Sequence, residues 1–528
     1  MTNVNKSLFG LSAAGLLLTI PALAGAEDYY RKTRGYRVEP ASDPPPYVRN
    51  LSVTQFEQFR DVDWLDAGLD FRSRYEYREN DLRPETGVNP LTGAATQNPR
   101  PDPDNLWLLR TRAYLGVHDI LDPLRFAVEY EDARSYNGLY ERDNGTTNEF
   151  ELIQGYAELY FKNLLGNNRP LSIRAGRQHL ELLDRRLVGN NEFRNTTNNF
   201  EGFRVRFGKK RNDWDLDTFA FQPVQRLKYD FDRPDEKTWF YGGVLSLKHW
   251  SDVITIQPYF LGRKTNGDPN QTPSKDAPLV LDQDIYAPGL RVYGLFGNSG
   301  FDFDADINKQ FGRFGVLRTK DLDGNSLGKS KQFDYRHDAL AYSLELGYTF
   351  DHEWKPRASL YYGFGTGDKS PNSGSVTSGV NNRFDSFYGF NQPWSRNDYF
   401  SWDNIRTPKA RLELTPYKDV RLDMGFGAYW LESETEAWNR TGLRDRGGRS
   451  GSYLGHEFDI RLRHHLNPYL DWSLSYGRFT PGNFTEDAPF SPTATDAITK
   501  VQRGFTEDPS NFFYFEVAVN AFGDGNIH

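Results

Sequence analysis

The sequence predicts an all-β protein: a single transmembrane β-barrel of about 18 antiparallel strands, with long extracellular loops and short periplasmic turns. Three observations predict it. Short segments alternating strictly between apolar and polar residues recur from residue 67 to residue 522. The connections between them switch regularly between a few residues and long stretches. Aromatic residues make up 15% of a chain that is only 37% hydrophobic; barrels place such rings at the level of the lipid headgroups.

Residues 1–26 read as a signal peptide. Lys6 is the only charge before Glu27, an apolar run spans Leu8 to Ile20, and Ala24-Gly25-Ala26 supplies small residues for cleavage, with Ala22-Leu23-Ala24 as the competing site. That run is shorter than the roughly 20 residues of a helical span. Residues 27–66, including Pro44-Pro45-Pro46-Tyr47, lack periodicity and read as a periplasmic lead-in, either a plain linker or a partner-binding tail. The barrel is expected over 67–522, followed by a short tail, 523–528.

Alternation opens with Ala67, Leu69, Phe71, Tyr75 and Tyr77 on one parity and Asp70, Arg72, Arg74, Glu76 and Arg78 on the other. In a barrel the two parities meet lipid and water, so both have a cause. Trp107 to His118 repeats the pattern, and a turn through Leu121-Asp122-Pro123 leads into Leu124 to Glu131. The next segments are Ile153 to Phe161, Leu171 to Leu180, Phe203 to Phe207, Trp214 to Phe221, Trp239 to Leu247, Ile254 to Phe260, a weak one near Leu290, and Phe301 to Ile307. Leu340 to Phe350, Pro356 to Phe364, Ala410 to Leu414, Val420 to Trp430, Phe458 to Leu462, Leu470 to Tyr476 and Phe512 to Phe522 complete eighteen. Every tight turn follows an even-numbered segment, which puts all of them, and both termini, at one rim. Eighteen strands leave an aqueous bore where about eight would be filled by their own side chains.

Polar-parity arginines are the candidate translocation residues: Arg72, Arg74, Arg110, Arg112, Arg174, Arg204, Arg206, Arg357, Arg411, Arg421, Arg461 and Arg463. A ladder of guanidinium groups passes a polyanion from site to site, because each forked pair of hydrogen bonds holds a carboxylate without trapping it. The alternative is structural: Asp70, Glu129, Glu131, Glu158, Asp302, Glu345, Glu413, Asp423 and Asp459 share the same face and pair with the arginines across strands. Arg440, Arg444, Arg446 and Arg449, after the fifteenth segment, form a candidate anion funnel at the outer rim or a contact for lipopolysaccharide phosphates. The stretch from Thr366 to Asp403 is the longest connection, either a gate folded inward or a solvated surface loop.

Cysteine is absent, which excludes thiolate chemistry. The net charge of −8 argues against nucleic acid. Asp321-Leu322-Asp323-Gly324-Asn325 reads as a polar turn more than a calcium loop, and His464 and His465, as strand neighbours, point to opposite sides; no metal or cofactor is expected. No motif brings Ser, His and an acid together, so the chain is not read as an enzyme.

Arg174-Ala175-Gly176-Arg177-Gln178, read as opening a strand, and Gly455-His456-Glu457-Phe458-Asp459, followed one hairpin later by Phe479-Thr480-Pro481-Gly482, resemble the alginate-export outer-membrane porins. The resemblance runs from about Asp66 to Phe522 and implies an eighteen-stranded monomeric channel of the bacterial outer membrane. It implies an arginine-rich interior that passes a polyuronate, and periplasmic export partners. Two features depart from the family's pattern. The penultimate strand presents Asp471, Ser473 and Ser475 inward where the family carries arginines, and Phe522 lies off the parity of Phe513, Phe515, Val517 and Val519. Two functions remain open on these residues: passive export of an anionic exopolysaccharide, and substrate-specific uptake of small anionic solutes.

Overall fold

The computed structural model describes residues 43–83, 85–88, 95–98, 103–139, 144–164, 166, 168–209, 212–248, 254–267, 281–296, 299–320, 326–368, 379–445, 447–488 and 507–523. The signal-peptide region, residues 27–42 of the lead-in, Asp321 to Asn325, Arg446 and the last five residues lie outside them.

Eighteen strands form one closed antiparallel barrel. They are β1 (Leu65–Glu79), β2 (Asp104–Leu121), β3 (Leu124–Tyr136), β4 (Asn148–Phe161), β5 (Leu171–Gln178) and β6 (Phe200–Phe207). Next come β7 (Trp214–Gln225), β8 (Thr238–Leu247), β9 (Ile254–Thr265), β10 (Gln283–Leu295), β11 (Phe301–Lys320) and β12 (Ser326–Thr349). The wall is completed by β13 (Arg357–Gly365), β14 (Ile405–Tyr417), β15 (Val420–Trp430), β16 (Tyr453–Asn467), β17 (Leu470–Pro481) and β18 (Ser510–Asn520). Closure is explicit at Tyr75, which stands opposite Trp107 of β2 on one side and Phe515 of β18 on the other. No sheet edge is left to hydrogen-bond in hydrocarbon, where each unpaired backbone group is costly.

The alternation has the expected physical sense. On β1, Leu69 and Phe71 are exposed outward while Asp70, Arg72 and Arg74 are buried inside. Leu115, Phe126, Val128, Leu344, Leu360 and Phe426 continue the exposed apolar belt around the wall.

Three features differ from the sequence reading. The stretch between Ile307 and Leu340 is mostly ladder, with β11 and β12 paired from Phe301↔Tyr348 out to Arg318↔Lys331. The Arg174 to Gln178 motif closes β5 instead of opening it, since the strand begins at Leu171. From β6 to β9 the inward face turns aromatic: Phe200, Phe219, Phe221 and Phe240 are buried, and Phe240 meets Phe387 and Tyr388 at ring-centroid distances of 5.5 and 5.0 Å. Alternation assumes water on the inner face; here that face packs on an inserted loop.

Two long loops fill the lumen. One follows β5 (179–199) and the other follows β13, with 379–404 described. They are tied together by Gly189 N to Tyr388 O (3.1 Å), Tyr388 N to Leu187 O (3.0 Å) and Phe390 N to Arg185 O (2.8 Å). Trp394 and Arg396 of the second loop are fully buried. Above them, Phe400 stacks on Tyr429 (3.8 Å, 10°) and on Trp438 (5.1 Å, 11°), forming an aromatic cap with Phe479 under the outer mouth.

The lead-in is docked, not free. Val48–Asn50 pairs antiparallel with Asp66–Gly68 of β1. Tyr47 packs on Tyr114 and Ala127, and its hydroxyl donates to Glu129 Oε1 at 2.5 Å. Gly68 makes this possible, because a Cβ there would lie 2.7 Å from the Tyr47 ring.

Candidate translocation site

All twelve wall arginines named from parity face the interior, and all twelve contact carboxylates. Arg72 reaches Glu516 (3.6 Å), Arg74 reaches Glu76 (2.8 Å), and Arg110 reaches Asp70 (3.5 Å). Arg112 pairs with Glu131 (2.8 Å), Arg174 with Glu158 (3.2 Å), Arg204 with Asp217 (2.6 Å), and Arg206 with Asp43 (2.7 Å). Arg357 bonds Asp302 (2.7 Å) and Arg411 approaches Glu345 (3.7 Å). Among the described residues of this wall the buried acids outnumber the buried cations, and the arginines are cross-braced by carboxylates instead of forming a uniformly positive lining. Such pairs fix geometry more than they stabilise, since desolvation offsets the attraction.

One cluster departs from that balance. Arg421, Arg461 and Arg463 converge on Asp423, at 2.9, 3.1 and 2.7 Å. Arg461 and Arg463 stay 18% and 29% exposed at their side chains while Asp423 is 2% exposed. The reason lies on the neighbouring strand: Arg461 stands opposite Ser475 and Arg463 opposite Ser473. Two short hydroxyl side chains leave the guanidinium groups open to the bore.

The loop after β5 carries its own carboxylate into the arginines of β1 and β2. Glu192 contacts Arg112 (3.2 Å) and Arg110 (3.5 Å), and its backbone oxygen accepts from Arg72 (2.7 Å). Burial works to raise the Glu192 carboxyl, but Arg112, Arg110 and Arg72 outweigh it and hold it well below the usual carboxylate range. Phe193 lies 4.3 Å from the Arg74 guanidinium, a cation–π contact. The loop after β13 is seated by Glu457, which accepts from Ser395 Oγ (2.6 Å), Arg396 N (2.7 Å) and Asn397 Nδ2 (2.8 Å). Lys409 donates to the Trp394 backbone oxygen, and Arg263 pairs with Asp385. The Gly455 to Asp459 motif thus anchors a loop inside the barrel.

At the outer rim the three described arginines have separate surroundings. Arg440 is bonded to Asp398 (2.5 Å), Arg444 is buried and donates to Thr435 O (3.2 Å), Arg449 is exposed, and Arg446 lies outside the described residues. His464 accepts from the Trp472 indole (3.0 Å) and His465 bonds Asp471 (2.6 Å). Among the described residues no group of His, Asp or Glu forms a metal site.

Sequence reasoning missed Lys409, Arg291, Asp43 and Glu192. Lys409 shares the parity of Arg411 and was within reach of the same rule, and Arg291, bonded to Asp304 (2.7 Å), sits on the weakest segment. Asp43 and Glu192 belong to stretches without periodicity and carry no such signal.

A closed eighteen-stranded wall with an apolar exterior and a charged interior is that of a channel protein of the bacterial outer membrane. The alginate export family model matches residues 63–496, and the chain belongs to that family. Solved structures share the fold: OccAB1 of Acinetobacter baumannii is 10% identical, with a TM-score of 0.52 over 89% of this chain and 99% of that one. OccK8 (OprE) of Pseudomonas aeruginosa is 12% identical, with a TM-score of 0.50 over 86% and 98%. No curated protein matches the chain.

Proposed function

We propose that the protein passes small anionic solutes passively through a constricted lumen, with Arg461 and Arg463 as the principal anion contacts and the other wall arginines as supports. The observation that carries this reading is the convergence of three guanidinium groups on Asp423 while two of them remain open to water. A solute carboxylate meets forked donors there at little desolvation cost. The loops tied across the bore support a narrow path and so a small passenger. The ladder closes within one chain, and in this reading each chain is a complete channel set among outer-membrane lipid and lipopolysaccharide.

The second reading is export of an alginate-like polyuronate, supplied by periplasmic partners, and the family's description favours it. Planar-bilayer recordings separate the two. Small uronates that carry current at a measurable reversal potential, with oligouronates merely blocking, support the first reading. Passage of oligouronates from the tight-turn side supports the second, and indifference to both overturns the anionic channel altogether.

A further inference from the structure

The inner floor of the bore holds an anion site that already contains a carboxylate, and the carboxylate comes from the lead-in. Asp43 Oδ2 lies 2.7 Å from Arg206 Nη1 and 3.1 Å from Arg174 Nη1, and Asp43 Oδ1 lies 3.4 Å from Arg174 Nη1. Both arginines also share Glu158 Oε1, at 3.2 and 3.3 Å, and the Tyr156 ring lies 3.8 Å from the Arg174 guanidinium. Arg204, next along the wall, is held by Asp217. Two guanidinium groups therefore face one wall carboxylate, and among the described residues Asp43 completes the charge balance.

Asp43 is positioned by an arm. Val48–Asn50 is paired to the wall and Tyr47 is wedged against β2 and β3. Between Tyr47 and Asp43 stand Pro44, Pro45 and Pro46, which have no N–H to donate to any ladder. The arm thus crosses from β1 to β5 and β6 at the tight-turn end of the lumen, where Asp43 is held by its ion pairs to Arg206 and Arg174.

We propose that Arg174 and Arg206 form a carboxylate-binding site at the periplasmic mouth and that Asp43 is its tethered occupant, displaced when a carboxylate-bearing solute enters. The proposal rests on the anionic-solute reading for the identity of the displacing solute, though not for the presence of the site. A short tether sets a local concentration in the millimolar range, so a free carboxylate competes only at comparable concentration. Removing the tethered charge leaves one uncompensated guanidinium, and affinity for a free carboxylate rises by about tenfold, the worth of one charge-assisted hydrogen bond.

The test uses the full-length protein in planar bilayers, with D-glucuronate added to each side in turn. In Asp43→Asn the half-blocking concentration falls about tenfold, in Asp43→Glu it stays at the wild-type value, and adding Arg206→Ala to Asp43→Asn abolishes the gain. Equal half-blocking concentrations in wild type and Asp43→Asn, with normal open-channel current as proof of folding, overturn the proposal and leave the anionic-solute reading standing. Should glucuronate affect neither protein, that reading fails. The site is then judged by chloride-over-potassium permeability, which rises in Asp43→Asn if Asp43 masks positive charge and stays unchanged if it does not.

Discussion

Arg463 stands directly opposite Ser473 across the β16–β17 ladder, and the short hydroxyl leaves its guanidinium open to the bore while Nη2 holds Asp423 at 2.7 Å. A larger residue on β17 would cover the group, and a second acid would neutralise it. The pair therefore sets both the space and the charge of the wall at this level. Replacing Arg461 and Arg463 together by alanine is expected to weaken block by small uronates about tenfold or more, the loss of one to two charge-assisted hydrogen bonds. Single-channel titration with glucuronate checks this; an unaltered blocking constant removes these residues from the path.

The loop after β13 depends on one carboxylate. Glu457→Gln keeps the shape of the side chain but turns one of its acceptors into a donor and discharges the contacts to Ser395, Arg396 and Asn397. Hydrogen bonds to a charged partner contribute about 1.5–3 kcal/mol, so the loop is expected to leave its seat often enough to give flickering current and a larger mean conductance. Quiet recordings at wild-type conductance would show that the aromatic cap, not Glu457, holds the loop.

The arm has its own handle. Gly68 leaves no room for a side chain beneath Tyr47, with Tyr47 Cδ2 2.7 Å and Val48 Cγ2 2.9 Å from the position of a Cβ. Gly68→Val is expected to lift the arm off the floor, with faster tryptic cleavage after Arg49 and an intact barrel by heat-resistant migration in gels. Cleavage at the wild-type rate contradicts the docking.

Acid is expected to release the inserted loops only at low pH. Burial tends to raise Glu192 and Asp398, but Arg112, Arg110 and Arg72 around the first, and Arg440 and Arg83 around the second, bring both carboxyls below their ordinary values. A carboxyl depressed in the folded state adds stability above its unfolded pKa, about 4, and that stability is lost as pH falls through the folded value. Conductance should hence be constant from about pH 5 to pH 8 and change only below about pH 4. A transition near neutrality would assign gating to other groups.

Leu360 lies next to the midpoint of β13 and is 69% exposed on the outer face. Leu360→Arg is expected to cost about 2–4 kcal/mol at the bilayer midplane, read as a lowered denaturation midpoint in lipid vesicles. A neutral result would mean this face does not meet hydrocarbon.

The wall was legible in the sequence because its two sides meet two solvents. Lipid outside and water inside impose opposite demands on neighbouring residues, so alternation from Ala67 onward announced the strands, their number and the inward turn of Arg72, Arg110, Arg204 and Arg461. Where that condition fails, so did the pattern: Phe219, Phe221 and Phe240 face inward because Phe387 and Tyr388, not water, lie against them. Only the tertiary structure decided which acid each arginine meets, that Glu192 and Asp43 are brought to the wall from aperiodic segments, and that two loops close on each other through Gly189 and Tyr388. Period-2 reading assigns a side chain to a face of the wall, whereas partners across a lumen are set by loop conformations that leave no periodic trace in the chain.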